Sequence, residues 1–155
     1  MTTSQVPDQI WEMIQNRLRY SDEELALFKK EPRNTQVLTT APDMLSKTIV
    51  FEVVESRGCN SQHQVGTRFF FSGDGNLLTR MAPSKTCGFL LPVMGQIIYG
   101  LHELWYAGVD PNELAFKRAG CFDVGVQCGG WGRVVVEARV LDRQEAAQLA
   151  AGAAG

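Results

Sequence analysis

The chain lacks a basic cluster. No basic run exceeds Lys29-Lys30, and Lys and Arg total 15 against 17 Asp and Glu, for a net charge of -2. That removes the electrostatic footprint by which proteins grip nucleic acid or an anionic membrane. A membrane-spanning apolar run is also missing, because the longest apolar helix candidate is interrupted by Pro92, Gln96, His102 and Glu103. Met1-Thr2-Thr3-Ser4-Gln5 has no charged segment leading into an apolar one, so a cytoplasmic protein is expected. There is no Cys-x-x-Cys, the local ligand pair of a zinc finger, and the 4 cysteines are expected to stay reduced. Neither an internal repeat nor a linker divides the sequence.

What is present is enough chain, 155 residues at 45% hydrophobic, to bury one core. Residues 5–19 place Ile10, Trp11, Ile14 and Leu18 at helical spacing, and Ser21 followed by Asp22, Glu23 and Glu24 caps a second helix running to about Lys30. Pro32 stops it, residues 34–40 read as short and extended, and Pro42 breaks the chain again. The β-branched run 48–56, the segment 68–72, a turn at 73–76 and a third segment at 77–81 predict a β-meander. Residues 89–107 predict a long apolar helix, 113–118 an edge strand and 133–141 a closing strand. The fold class is α+β: a small antiparallel sheet packed on one long helix. We expect a helical N-terminal arm at 1–40, a single domain at 41–143 and an Ala/Gly-rich tail at 144–155 that frays or is disordered.

Two Gly-bracketed turns draw attention. Gly58-Cys59-Asn60-Ser61-Gln62-His63 sets a thiol and an imidazole four positions apart, and residues 120–132 carry Cys121, Asp123, Cys128 and Trp131 among glycines. Cys59, His63, Cys121 and Cys128 are donors that suit zinc or iron if the fold brings the two loops together; the alternative is buried apolar cysteines, which is the expectation for Cys87 at the helix entrance. His102 and Glu103 lie late in the apolar helix, where an unpaired charge is costly. They face either a pocket, as acid/base groups, or solvent, with Glu103 paired to Arg118 or Arg133. Phe69, Tyr106 and Trp131 suit the wall of an aromatic cavity, or simply the core. Arg68, Arg118 and Arg133 are candidates for holding a carboxylate. Phe69-Phe70-Phe71 needs cover on both faces, from the arm or from a second subunit.

The pattern Gly58-Cys59-x-x-x-His63-x-Val65-Gly66-x-x-Phe69, followed by Cys87, Cys121-x-Asp123 and a Val-rich strand, resembles a family of small, mostly uncharacterised bacterial and archaeal proteins. Their usual first loop reads Cys-Pro-x-Gly-His-x-Val-Gly-Asp, and the likeness covers residues 49–141. This chain departs at Asn60-Ser61-Gln62, at Thr67 and at Phe122, and it adds the helical arm. The longer form is similar to the hydroxylaminobenzoate lyases. That resemblance implies a carboxylated aryl hydroxylamine converted to protocatechuate with release of ammonia, by acid/base chemistry that needs no redox cofactor. The expected catalytic set is His63, Glu103, His102, Cys59 and Asp123. Arg118, Arg68, Trp131, Phe69 and Tyr106 are the expected binding residues, in a homo-oligomer whose partner is a small aromatic acid. Two other classes stay open: a zinc- or iron-binding protein without catalysis, and an accessory or sensor protein.

Overall fold

A computed structural model describes residues 6–152 of the chain, which divides at Asp43/Met44 into two compact units. The first is helical, with α1 at Asp8–Leu18, α2 at Asp22–Lys30 and α3 beginning at Pro32. α1 stops where Arg19 turns left-handed, at φ 58°. α2 opens on a capping box: the Glu24 amide donates to Ser21 Oγ at 3.1 Å and the Ser21 amide to Glu24 Oε2 at 2.8 Å, pairing two otherwise orphaned donors. Trp11 meets Phe28 edge-on with ring centroids 6.2 Å apart, and Lys29 Nζ lies over the Trp11 ring at 5.2 Å.

The expected extended stretch at 34–40 is a correction, because α3 runs unbroken over Pro32–Leu45 with Pro42 inside it. Pro32 occupies the first helical position, where an amide has no intrahelical partner to lose, so it starts a helix as well as ending one. Thr39 and Thr40 fold their hydroxyls back onto the Gln36 carbonyl, at 2.7 and 3.2 Å, a local bond that reconciles β-branched residues with a helix.

In the second unit β1 (Lys47–Arg57), β2 (Arg68–Ser72), β3 (Arg118–Gly120) and β4 (Arg133–Asp142) form one sheet of order β2-β1-β4-β3, with all neighbours antiparallel. α4 (Leu91–Tyr106) presents Val93, Met94, Ile97, Ile98 and Leu101 as its buried residues. Ile49, Phe51 and Val53 of β1, Phe69 and Phe71 of β2 and Val134, Val136, Ala138 and Val140 of β4 share one core with Met94, Ile97, Ile98 and Leu101. The alternation of β4, buried at every second residue, aims that row at the helix.

Phe70 points the other way. With Val50 and Ala146 it makes a second cluster, packed by Leu78, Met81, Leu141 and Leu149. Cover for Phe70 is therefore supplied within the unit, by α5 (Arg143–Gly152) together with Leu78 and Met81. Over its described part the expected tail is this helix, anchored by Ala146 at 0% exposure. Burying a phenylalanine contributes about 1.5–3 kcal/mol. Truncation after Asp142 is accordingly expected to lower the melting temperature by several degrees and to produce dye binding at the uncovered Phe70; an unchanged melt would show that α5 covers nothing of consequence.

Two further segments differ from expectation. Residues 77–81 pair only through the Phe71 to Leu77 bridge and then turn, with the Met81 amide bonded to the Leu78 carbonyl at 2.9 Å. The 113–118 segment contributes only Arg118 to the sheet, because Pro111–Glu113 is a 3-10 turn that places the Asn112 carboxamide against β4. Asn112 donates to the Val140 carbonyl at 3.0 Å and accepts from its amide at 2.8 Å, substituting for a strand. Among the described residues no helix is long and apolar enough to cross a membrane.

Candidate active site

Antiparallel pairing sends the end of β1 and the start of β4 to the same edge, where Arg57 and Arg133 are register partners. The loops 58–67 and 121–132 leave the sheet there. They meet backbone to backbone: a Cβ on Gly132 would overlap the Gly58 carbonyl, so the approach requires glycine. The second loop is held by Asp123. Its Oδ1 accepts from the amides of Gly125 at 3.0 Å and Trp131 at 2.9 Å, and its Oδ2 from Gly132 at 2.9 Å. The amides of Gly125 and then Gly132, with a lesser share from Trp131, hold this carboxyl below its ordinary 3.8 against the opposing effect of burial. With both oxygens occupied by amides of the loop, Asp123 organises the site.

Beneath the docked loops is a pocket of about 50 Å³ lined by Cys59, His63, Cys87, Cys121, Asp123 and Arg133, among others. His63 is 4% exposed, and its Nε2 is a buried nitrogen with no hydrogen-bond partner. Burial lowers its pKa from 6.5, so the ring is neutral at pH 7. The Ser56 hydroxyl donates to the His63 carbonyl at 2.5 Å, and the Phe69 ring abuts the imidazole edge-on at 5.0 Å. Phe69, at 0% exposure, thus props His63 from the core and lines neither the pocket nor the outer cleft. Cys121 Sγ accepts the Val134 amide at 3.3 Å.

An outer cleft of about 250 Å³ shares Gly132 and Arg133 with this pocket and adds Arg57, Val124, Val126, Cys128 and an exposed Trp131. Arg133 makes no ion pair or side-chain hydrogen bond among the described residues, which leaves its guanidinium available at the junction.

The other expected residues lie elsewhere. His102, Glu103 and Tyr106 sit at the far end of α4, about 17 Å or more along its axis from Leu91 at 1.5 Å per residue. There His102 Nε2 is bonded to the Gly73 carbonyl at 2.7 Å, and its ring is tilted against Tyr106. Glu103 is exposed. Tyr106 titrates above its ordinary 10.0, chiefly through burial and then through Glu103 and Asp74. Arg118 is paired with Glu137 and Arg68 with Glu52 at 2.7 Å, and neither lines the pocket or the outer cleft. Of the four suggested metal ligands, Cys59, His63 and Cys121 line the pocket while Cys128 lines the outer cleft. Among the described residues no three His, Cys, Asp or Glu side chains are grouped so as to hold a metal ion.

Cys87 and Arg57 border the site as well, beyond the expected site residues. Each stands at the last position before a structural change, Cys87 ahead of the turn into α4 and Arg57 ahead of Gly58, and that is the signal that marks them. Comparison with protein-family models, with curated proteins and with solved structures finds no match.

Proposed function

We propose that the protein is a lyase acting on a small carboxylated aromatic compound, with hydroxylaminobenzoate converted to protocatechuate and ammonia as the reaction to test. The observation that carries this reading is the His63 imidazole, buried and neutral, with an unpartnered Nε2 at a pocket that an unpaired arginine also lines. A buried nitrogen left without a hydrogen bond is costly unless something binds there. Trp131, Val124 and Val126 offer apolar surface to a ring in the outer cleft, while Arg133 at the junction matches a carboxylate with its planar fork. The resemblance of the longer form, with its helical arm and its Cys128-Gly129-Gly130-Trp131 loop, to the hydroxylaminobenzoate lyases points to the same chemistry.

The overall reaction adds one water to hydroxylaminobenzoate and releases ammonia. The N-hydroxyl must be protonated to leave as water, one water must attack the activated ring, and a second must hydrolyse the carbon–nitrogen bond so that nitrogen leaves as ammonia, a net uptake of one water. A neutral imidazole serves these steps in turn, taking a proton from the attacking water and returning it to the departing nitrogen. Ammonia release from hydroxylaminobenzoate is therefore expected. Arg133→Ala should raise KM about tenfold to a hundredfold, the worth of one charge-assisted hydrogen bond. Glu103→Gln and Arg118→Ala, at residues that line neither the pocket nor the outer cleft, should stay within about twofold of the unaltered protein. No ammonia from any aryl hydroxylamine, together with no rise in melting temperature on adding aromatic acids, would sink the reading.

A further inference from the structure

We propose that Cys59 is a nucleophile with His63 as its base, in a site that takes small carboxylates bearing an electrophilic carbon. The inference deepens the reading above, giving the same pocket a covalent step, and it rests on that reading only for the identity of the natural substrate.

Three thiols line the inner pocket, and they are not equivalent. The sulfur of Cys121 is engaged on two sides, by the Val134 amide at 3.3 Å and toward the Asp123 carbonyl at 3.7 Å, which makes it part of the wall. Cys87 belongs to a separate segment, and its carbonyl accepts the amides of Leu90 and Leu91, both at 3.0 Å, in the turn that leads into α4. Cys59 instead shares one short turn with the imidazole. The Gln62 amide donates to the Cys59 carbonyl at 3.0 Å, Gln62 itself is held left-handed at φ 61°, and the His63 carbonyl is fixed by Ser56. A non-glycine residue in that conformation persists only where its surroundings impose it. Backbone bonds thus fix the thiol and the imidazole on one turn of a shared pocket, the two kinds of side chain that nucleophilic catalysis pairs. The second, independent observation is the buried Nε2 that nothing in the protein satisfies.

In the proposed step the Cys59 proton passes to His63 Nε2, the sulfur electron pair forms a bond to the ligand carbon, and the bond from that carbon to its leaving group breaks with the departing pair. With iodoacetate a C–S bond forms, the C–I bond breaks and iodide leaves; no oxidant or reductant enters. Arg133, lining the same pocket, accounts for the carboxylate.

The test is carboxymethylation of the full chain by iodoacetate against iodoacetamide, with peptide mass mapping and with glutathione as the reference thiol. Relative to glutathione, Cys59 is expected to favour the anionic reagent by about tenfold, the lower end for a charge-assisted hydrogen bond. Arg133→Ala should return the ratio to that of glutathione, and His63→Gln should slow both reagents at least about tenfold, the loss of a positioned base. Because His63 is buried, the unaltered protein supplies a second readout: benzoate, which has the carboxylate but no leaving group, should protect Cys59. Preferential labelling of Cys87 or Cys121, indifference to reagent charge, or no protection by benzoate would each overturn the proposal. Selective Cys59 labelling in a protein that releases no ammonia would leave this inference standing and remove only the lyase reaction.

Discussion

Replacing His63 with glutamine is expected to lower turnover by about 10²- to 10⁴-fold, the range for removing a general acid/base, while the folded protein persists. Glutamine keeps a polar group near the place of Nε2 but cannot exchange a proton near neutral pH. The same substitution should alter the dependence of stability on pH. The folded protein holds the imidazole neutral below its ordinary 6.5, whereas the unfolded chain titrates at that value. This contribution is therefore fully present above pH 6.5 and is lost progressively as the pH falls, until the folded-state group is protonated as well. His63→Gln should flatten that slope in denaturant titrations between pH 7 and 5. The other histidine, His102, lies at the remote end of α4, so His102→Gln serves as the comparison. Turnover unchanged in His63→Gln would remove the imidazole from the chemistry.

The second large effect is expected at Asp123. Asparagine retains one carbonyl oxygen for the amides of Gly125 and Trp131, but it turns an NH₂ toward the Gly132 amide, donor against donor. The loop 123–132 should open. Asp123→Asn is expected to become sensitive to limited proteolysis within that loop, to lose aromatic-acid binding and to melt at a lower temperature, with β1 and β4 still paired by circular dichroism. In the unaltered protein the depressed carboxyl makes the clasp's contribution present above about pH 3.8 and lost as the pH falls through the folded-state value. Proteolysis and binding matching the unaltered protein would show that the loop holds itself without the carboxylate.

Some of this organisation is legible from residue order. The β-branched and aromatic runs that become β1, β2 and β4 declare themselves because each buries a row against α4, and the Gly-bracketed turns carry the pocket because close approach of two loops needs glycine. The α+β class follows from those elements. α3 is hidden because Pro32 has the same letter at a helix start as at a stop, and because Thr39 and Thr40 are read as extended unless their bonds to Gln36 are known. α5 is hidden because its alanines and glycines show little amphipathic pattern, and only Phe70 opposite Ala146 gives them a role. His102 and Glu103 stand out in an apolar stretch, yet their distance from the pocket is a property of helix length, which spacing along the chain does not connect to the loops. Arg133 differs from Arg68 and Arg118 only in lacking a carboxylate partner, a fact of register.

The strand order has a consequence for how the protein reaches its native state. β1 is central, but its longer partner β4 lies far along the chain, with Lys47 and Asp142 joined across 95 positions. A β1–β2 hairpin can close early, since only ten residues separate the two strands. Until β4 and α5 arrive, that hairpin shows Ile49, Phe51, Phe69 and Phe71 on one side and Val50 and Phe70 on the other, apolar on both faces with a long unpaired edge. Such an intermediate is slow to consolidate, because distant pairing must bear its loop-closure entropy first, and it is prone to self-association meanwhile. Refolding yield should therefore fall steeply with protein concentration and recover on slow dilution, a sensitivity set by topology and independent of final stability.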